Sequence, residues 1–191
     1  LIILIILSAF AVKRYIDNIL VNVLEKRIGL LMFSIPNDSN PFGTGTGKTT
    51  TAVTILNHYL VERTRAIVKG DMELKDDLAV FVKATELQNL FNGQFRGTND
   101  MKEKSAIKYY NLKEKLKRTE LVVFDDMATR GSKISEAFEE ELYEILDYRS
   151  TSENGTTICT SNVSIEGIRE CLGERIASRL ARMETRPLSR F

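Results

Sequence analysis

A glycine-rich segment that ends in lysine and threonine is the part of this sequence best suited to hold a phosphate group. The segment reads Gly43-Thr44-Gly45-Thr46-Gly47-Lys48-Thr49-Thr50. Glycines allow backbone N–H groups to curl around phosphate oxygens, and a helix that begins near Lys48 points its positive dipole end at the same anion. The Lys48 ammonium can reach the β- and γ-phosphates of ATP, and the Thr49 hydroxyl can ligate Mg²⁺. We therefore predict a P-loop, although Phe42 stands where the full pattern has its first glycine.

Two acidic residues and an asparagine stand at the ends of apolar runs, where the strands of a parallel sheet would end. Asp125 and Asp126 follow the run 121–124, and Asn162 closes the run that begins at 156. Adjacent parallel strands place their carboxyl ends on one edge, so these side chains should lie beside the phosphates. We expect Asp125 to hold Mg²⁺ through water, Asp126 to polarise the attacking water and Asn162 to orient it. The alternatives are an Asp-rich turn and a simple turn asparagine.

Arg175 and Arg179 stand four residues apart near the end of the sequence, so they share one face of a helix. An arginine directed at the nucleotide of a neighbouring subunit would stabilise charge on the transferring phosphoryl group. We expect both residues to serve hydrolysis in this way. The alternative is the solvated basic edge of an ordinary helix.

A basic segment over 96–118 carries eight basic residues against three acidic ones in a nearly neutral chain. Aromatic residues lie within it or beside it. Bases that stack on aromatic rings above a positive track are a common solution for single-stranded nucleic acid. The predicted DNA-binding residues are Phe91, Phe95, Arg96, Lys102, Lys104, Lys108, Tyr109 and Tyr110. The alternative is a solvated lysine-rich helix with aromatic residues in the core.

Hydrophobic periodicity places these motifs in an alternating order of strands and helices. Short apolar runs predict strands at 29–33, 78–82, 121–124 and 156–160. Helical spacing predicts helices at 11–26, 48–62, 85–91, 102–118, 135–148, 165–171 and 174–183. We expect the acidic face of helix 135–148 to lie in solvent. The alternation predicts an α/β fold in which helices cover both faces of a parallel sheet.

The composition bounds the class of protein. In 191 residues, 27 Lys and Arg against 26 Asp and Glu give a formal net charge of +1, and 43% of the residues are hydrophobic. This balance excludes a disordered tail, a multi-pass membrane protein and a wholly basic nucleic-acid coat. A bilayer-spanning helix needs about 17–25 apolar residues, so the apolar stretch 1–12 is too short, and we expect no membrane role. Cys159 and Cys171 form no CxxC pair, and we interpret both as reduced thiols of a cytoplasmic protein. We expect an apolar segment and amphipathic helix over 1–28 that leads into one domain over 29–191.

Taken in order, four motifs resemble the AAA+ ATPase domain of DnaC/DnaI-type helicase loaders, over about residues 11–183. They are the segment 45–49, the triplet Phe124-Asp125-Asp126, the triplet Thr160-Ser161-Asn162 and the helix with Arg175 and Arg179. The stretch 40–50 and the long loop before it are similar to phage-encoded members. The resemblance implies a three-layer P-loop AAA+ fold for 29–191, with a lid domain that is minimal or absent.

The resemblance also implies roles and partners. Lys48 and Thr49 would form Walker A, Asp125 and Asp126 Walker B, Asn162 sensor 1, and Arg179 the arginine finger with Arg175 beside it. Related ATPases often carry glutamate at the position of Asp126, so we expect slow turnover. The implied partners are ATP or ADP with Mg²⁺, single-stranded DNA, further copies of the chain in the ATP state, and a hexameric replicative helicase loaded at replication initiation.

Other functions fit some of these residues. An IstB-like transposition helper shares the motifs but binds duplex DNA. A P-loop small-molecule kinase would need an arginine-rich lid and an acceptor pocket. A nucleotide-binding scaffold would bind ATP with negligible hydrolysis, which the shorter side chain of Asp126 would suit. A glycine-rich turn that binds nothing is the simplest alternative for 43–50.

Overall fold

The structure is a computed structural model that describes residues 2–34, 38, 40, 44–151 and 155–187. Side chains are described for all of these except 2–9 and 184–187. The predicted P-loop residue Gly43, together with Phe42, lies outside the described residues.

Five parallel strands form one sheet in the order β2-β3-β4-β1-β5. Their bounds are β1 Leu30–Phe33, β2 Ala79–Lys83, β3 Leu121–Asp125, β4 Thr156–Ser161 and β5 Glu184–Pro187. The four predicted strands are confirmed. The fifth was not predicted, because its sequence has no apolar run and ends in proline, which is tolerated at the edge of a sheet.

Helices precede and follow the strands along the chain, as the α/β prediction requires. Their bounds are α1 Ile2–Asp17, α2 Lys48–Val68, α3 Ala84–Gly93, α4 Asn99–Arg118, α5 Glu136–Thr151, α6 Ile165–Leu172 and α7 Glu174–Leu180. The helix predicted over 11–26 is broken, because a π-helical turn at Val21–Glu25 follows α1. None of the helices in the described ranges is long and apolar enough to cross a membrane.

Alternating side chains along the strands build a hydrophobic core on each face of the sheet. On one face, Leu30 and Met32 of β1 are buried in a core with Ile55 of α2 and Ile19. On the other face, Leu31 joins a core that includes residues of α3, α4, α5, α6 and α7. The result is the predicted three-layer arrangement. It brings the carboxyl ends of β1, β3 and β4, which are neighbours in the sheet, to one edge.

Candidate nucleotide site and DNA-binding surface

The phosphate loop turns directly into α2, which begins at Lys48. Gly45 and Gly47 have φ angles of 62° and 85°, the left-handed region that glycine adopts without strain. A cavity of about 240 Å³, which we call the phosphate cavity after the predicted P-loop, opens here at the N-terminus of α2. Its lining consists of all described residues of the predicted P-loop plus two predicted catalytic residues, namely Thr44, Gly45, Thr46, Gly47, Lys48, Thr49, Thr50, Asp126 and Asn162. The structure therefore brings these residues together.

Lys48 is only 5% exposed, and hydroxyl groups hold its ammonium. Its Nζ atom donates to Ser34 Oγ at 2.6 Å and to Thr46 Oγ1 at 3.1 Å. Burial lowers the pKa of Lys48, and the nearby carboxylates of Asp126 and Asp125 oppose that shift. Ser34 was not predicted as a site residue. The sequence signal is only that a polar residue directly follows β1.

Thr49 and Asp125 meet although they lie far apart in the sequence. Thr49 Oγ1 donates to Asp125 Oδ1 at 2.8 Å, and Thr160 Oγ1 donates to the same oxygen at 2.7 Å. Asp125 is buried. A hydroxyl and a carboxylate are hard oxygen ligands, so this pair fits the Mg²⁺ that accompanies nucleotide phosphates. The contact of Thr160 with Asp125 was missed, because no spacing rule distinguishes it from the other polar residues that end β4.

Asp126 directly follows β3 in the left-handed region, with a φ of 54°. Asp and Asn tolerate this conformation better than most residues. Its backbone N–H donates to Thr160 Oγ1 at 2.9 Å, and its Oδ1 accepts from Asn162 Nδ2 at 3.0 Å. Hydrogen bonds to β4 and to the residue after it thus fix both the backbone and the side chain of Asp126. The arrangement fixes a carboxylate at the wall of the phosphate cavity.

Arg175 and Arg179 do not line the cavity at the N-terminus of α2. Arg179 at the end of α7 donates to the Tyr143 hydroxyl at 3.2 Å and forms an ion pair with Asp147. The Arg175 guanidinium stacks on the Tyr143 ring at 4.6 Å. Arg179 lines a separate cavity with residues that begin β4, at the edge of the sheet opposite the phosphate loop. The two arginines are therefore not brought to the phosphate cavity of their own chain.

Two of the four aromatic residues predicted to stack on DNA are buried, so that part of the prediction is wrong. Phe91 is 7% exposed and Tyr109 is fully buried, with its hydroxyl donating to Glu141 at 2.7 Å. Helical periodicity turns them towards α5, where they enter the core. Phe95 and Tyr110 are 65% and 55% exposed and contact Phe91 and Tyr109 edge-on. Only this outer pair offers free ring faces.

The lysines of α4 divide into two groups. Towards its C-terminus, Lys113 is buried and paired with Glu141 and Glu144, so the acidic face of α5 is not wholly in solvent as expected. The other basic residues of this half pair with acidic side chains as well; these are Lys115, Lys117 and Arg118. The predicted DNA-binding residues belong to the other group: Lys104 has only an exposed pair with Asp100, and no ion pair within the described ranges involves Arg96, Lys102 or Lys108.

No protein-family model matches this chain, and no curated protein matches it. Solved structures match its fold. DnaA bound to AMPPCP and single-stranded DNA matches with a TM-score of 0.64 and 14% identity, over 97% of this chain and 46% of that one. DnaI matches with 0.60 and 18%, over 95% and 82%. Aeropyrum pernix Orc1 in complex with DNA matches with 0.56 and 18%, over 94% and 44%.

The chain spans less than half the length of the DnaA and Orc1 chains and most of the DnaI chain. At these identities the likeness concerns the fold. The parallel sheet and its helical layers match the fold of the three solved structures named above. The chain therefore has the α/β P-loop fold of AAA+ proteins.

Proposed function

We propose that this chain is an ATP-hydrolysing AAA+ domain of the helicase-loader type. The observation that carries the proposal is the convergence of three strand ends on the N-terminus of α2. The residues that directly follow β1, β3 and β4 are Ser34, Asp126 and Asn162. Ser34 accepts a hydrogen bond from Lys48, and Asn162 donates one to Asp126. A turn that binds nothing gives no reason for three elements to place such polar groups around a helix N-terminus.

Each group has a role that its chemistry suits. The backbone N–H groups at the start of α2 and the Lys48 ammonium bind the phosphates, with Lys48 exchanging its hydroxyl partners for phosphate oxygens. Thr49 and Asp125 hold Mg²⁺, which neutralises charge on the phosphates when it is bound. The Asp126 carboxylate orients the attacking water and accepts its proton, and Asn162 fixes the position of that carboxylate.

ATP binding and hydrolysis test this site directly. In Lys48→Ala we expect ATP affinity to be lost together with hydrolysis, because the variant lacks the buried cation that faces the phosphates. Lys69→Ala is the matched control, since Lys69 is an exposed lysine at the other end of α2. Intact ATP affinity in Lys48→Ala would overturn the site assignment.

The DNA surface consists of the exposed rings of Phe95 and Tyr110 and the cationic side chains beside them, Arg96, Lys102, Lys104 and Lys108. Free ring faces together with exposed or weakly paired cations suit single strands, whose bases are available for stacking. In the loader role, ATP drives self-assembly on single-stranded DNA and the assembly delivers a hexameric replicative helicase. Single strands should therefore stimulate ATP hydrolysis. A clear preference for duplex DNA would favour a transposition helper instead.

A further inference from the structure

One buried threonine, Thr160 near the end of β4, makes hydrogen bonds to three consecutive residues at the end of β3. Its Oγ1 atom donates to Asp125 Oδ1 at 2.7 Å and accepts from the backbone N–H of Asp126 at 2.9 Å. Its carbonyl oxygen accepts from the N–H of Met127, also at 2.9 Å. Thr160 is 0% exposed, so these hydrogen bonds lie away from solvent, where their geometry is strongly specified.

The Thr160 hydroxyl lies where the regular pairing of β3 with β4 stops. The parallel register between these strands ends at Phe124, which lies opposite Cys159. The chain then turns at Asp126, whose φ of 54° is a left-handed conformation that the surroundings must hold in place. The hydroxyl supplies the acceptor that the N–H of Asp126 needs at this turn. It therefore helps to decide where the Asp126 carboxylate lies.

The same hydroxyl orients the carboxylate that we propose for Mg²⁺. Asp125 Oδ1 accepts one hydrogen bond from Thr160 at 2.7 Å and a second from Thr49 at 2.8 Å. Two donors on one oxygen fix the rotation of a carboxylate. Hydrogen-bond partners of this kind orient metal ligands and affect how tightly the metal binds.

The two threonines at the other end of β4 use their hydroxyls differently. Thr156 Oγ1 donates to the carbonyl oxygen of Val23 at 2.7 Å, and Thr157 Oγ1 accepts from Arg149 Nε at 2.8 Å. Neither contact includes a residue that lines the phosphate cavity. Burial and strand position alone therefore do not give a threonine of β4 the contacts that Thr160 has.

We propose that the Thr160 hydroxyl is a positioning group that sets both acids of the nucleotide site at once, Asp125 for Mg²⁺ and Asp126 for the attacking water. The inference rests on the proposed ATPase function and gives a role to a residue that has none in it. Thr160 acts through the two acids, whereas Lys48 and the phosphate loop bind the phosphates. Loss of the hydroxyl should therefore change Mg²⁺ dependence and turnover together and leave metal-free nucleotide binding unchanged.

Thr160→Val tests the proposal in the full chain, because valine keeps the branched shape and removes the hydroxyl. The Mg²⁺ concentration that gives half of the maximal hydrolysis rate should rise about 10- to 100-fold. At saturating Mg²⁺, kcat should still fall by up to about 100-fold, because Asp126 is displaced. AMPPCP, which is not hydrolysed, gives a second measurement of the metal. Its affinity in EDTA should equal that of wild type, and the Mg²⁺ concentration that produces half of the change in this affinity should rise by the same factor.

Two further variants on β4 separate positioning from general damage to the strand. Thr160→Ser keeps the hydroxyl and should restore both the Mg²⁺ dependence and kcat. Thr156→Val removes another buried hydroxyl of the same strand and should leave both quantities at their wild-type values. If Thr160→Val does not fold, as judged by circular dichroism, Thr160→Cys takes its place. A thiol is a weak donor and acceptor, so both quantities should shift in the same direction by smaller factors.

The outcomes distinguish this inference from the ATPase proposal. If the hydroxyl-free variant kept wild-type values, or if only one of the two quantities changed, a single hydroxyl would not set both acids. The inference would then be overturned while the ATPase function stood. Failure of Thr160→Ser to restore either quantity would assign the effect to the methyl group and would overturn the inference as well. If wild type itself did not bind AMPPCP, the ATPase proposal would fall and this inference with it.

Discussion

The two edges of the sheet carry opposite chemistry. At the carboxyl edge, hydroxyls and carboxylates lie around one lysine, Lys48, and Thr49 donates a hydrogen bond to Asp125. At the amino edge, arginines outnumber acids, and Arg27 and Arg182 have no partner in the described part of the chain. The carboxyl edge therefore collects the residues of the proposed nucleotide site, whereas the amino edge carries an excess of cationic side chains over acidic ones.

Two buried arginines at the amino edge sharpen this contrast. Arg63 is paired with Glu120, which accepts from Nε at 3.0 Å and from Nη2 at 3.1 Å and also accepts from the Tyr59 hydroxyl. Arg149 has only neutral acceptors. Burying a cation beside a carboxylate cancels its field, and burying it among carbonyl groups does not. Arg63 therefore serves the fold, whereas the charge of Arg149 is not cancelled by a carboxylate among the described residues.

The largest effect is expected at the carboxyl edge, on catalysis alone. Asp126→Asn should lower kcat about 10²- to 10⁴-fold, because the amide cannot accept the proton of water. Asparagine tolerates the left-handed backbone and can still accept the hydrogen bond from Asn162, so the fold and ATP affinity should be unchanged. Steady-state hydrolysis and equilibrium ATP binding measure the two properties separately.

The matched control is Asp71→Asn, which neutralises an exposed aspartate beyond the end of α2. It should leave both properties unchanged. Asp126→Glu provides the complementary test, since its longer side chain should raise kcat if the short carboxylate limits turnover. Wild-type hydrolysis in Asp126→Asn would show that another group activates the water.

The second-largest effect is expected at the amino edge of the sheet, where a substitution should lower the free energy of unfolding without changing catalysis. Glu120→Gln leaves the buried Arg63 without a carboxylate, and breaking a buried pair costs about 3–5 kcal/mol of unfolding free energy. Urea unfolding of the purified chain measures this cost. At low urea the folded variant should hydrolyse ATP at the wild-type rate, because Glu120 lies outside the phosphate cavity. Glu136→Gln, an exposed residue that begins α5, is the control and should unfold as wild type does.

The difference in unfolding free energy between wild type and Glu120→Gln should also depend on pH. Burial alone would raise the pKa of Glu120, but hydrogen bonds from Arg63 and Tyr59 outweigh it and hold that pKa below its ordinary value. A carboxylate with a lowered pKa in the folded state stabilises the protein above its unfolded pKa of about 4.3. This contribution is lost as the pH falls through the lower folded value. The gap in stability between wild type and Glu120→Gln should therefore narrow in acid, and a constant gap would contradict the ion-pair explanation.

The carboxyl edge could be predicted from the sequence because its chemistry is local. Each of its acids or amides stands at the end of a strand that an apolar run identifies, and the parallel sheet then brings the strand ends together. The amino edge could not be predicted in this way. In the sequence Arg63 and Arg149 look alike, because their partners lie as many as 57 and 33 residues away. Only the packing of α2 and α5 on the sheet decides which arginine meets a carboxylate.

The aromatic residues of α4 also show what the sequence pattern could not predict, namely which of two adjacent residues is buried. Tyr109 and Tyr110 are adjacent, yet one is fully buried and the other 55% exposed, since neighbouring residues of a helix face different ways. The basic content of 96–118 was visible in the sequence. The division of its lysines between ion pairs with α5 and solvent depends on Glu141 and Glu144, whose position opposite α4 the sequence pattern did not indicate.

The smallest effect is expected on a surface that belongs to neither edge. Phe95→Ala removes the most exposed ring of the proposed DNA surface, and base stacking on one ring contributes about 1–3 kcal/mol. The dissociation constant for single-stranded DNA should therefore rise about 5- to 150-fold. Fluorescence anisotropy with a labelled oligonucleotide measures this change. Because α3 and α4 lie apart from the phosphate cavity, ATP affinity without DNA should remain at the wild-type value.

Phe10→Ala is the control that makes this result specific to the surface. Phe10 is 64% exposed, nearly the same as Phe95, but it lies on α1, outside the proposed DNA surface. Both substitutions remove an exposed phenyl ring from a helical region, so a general loss of apolar surface would weaken DNA binding equally in both. If only Phe95→Ala weakens binding, the rings and cations of α4 and of the turn before it form a third functional region, distinct from the two edges. Equal affinities in both variants and the wild type would leave α4 as a solvated lysine-rich helix.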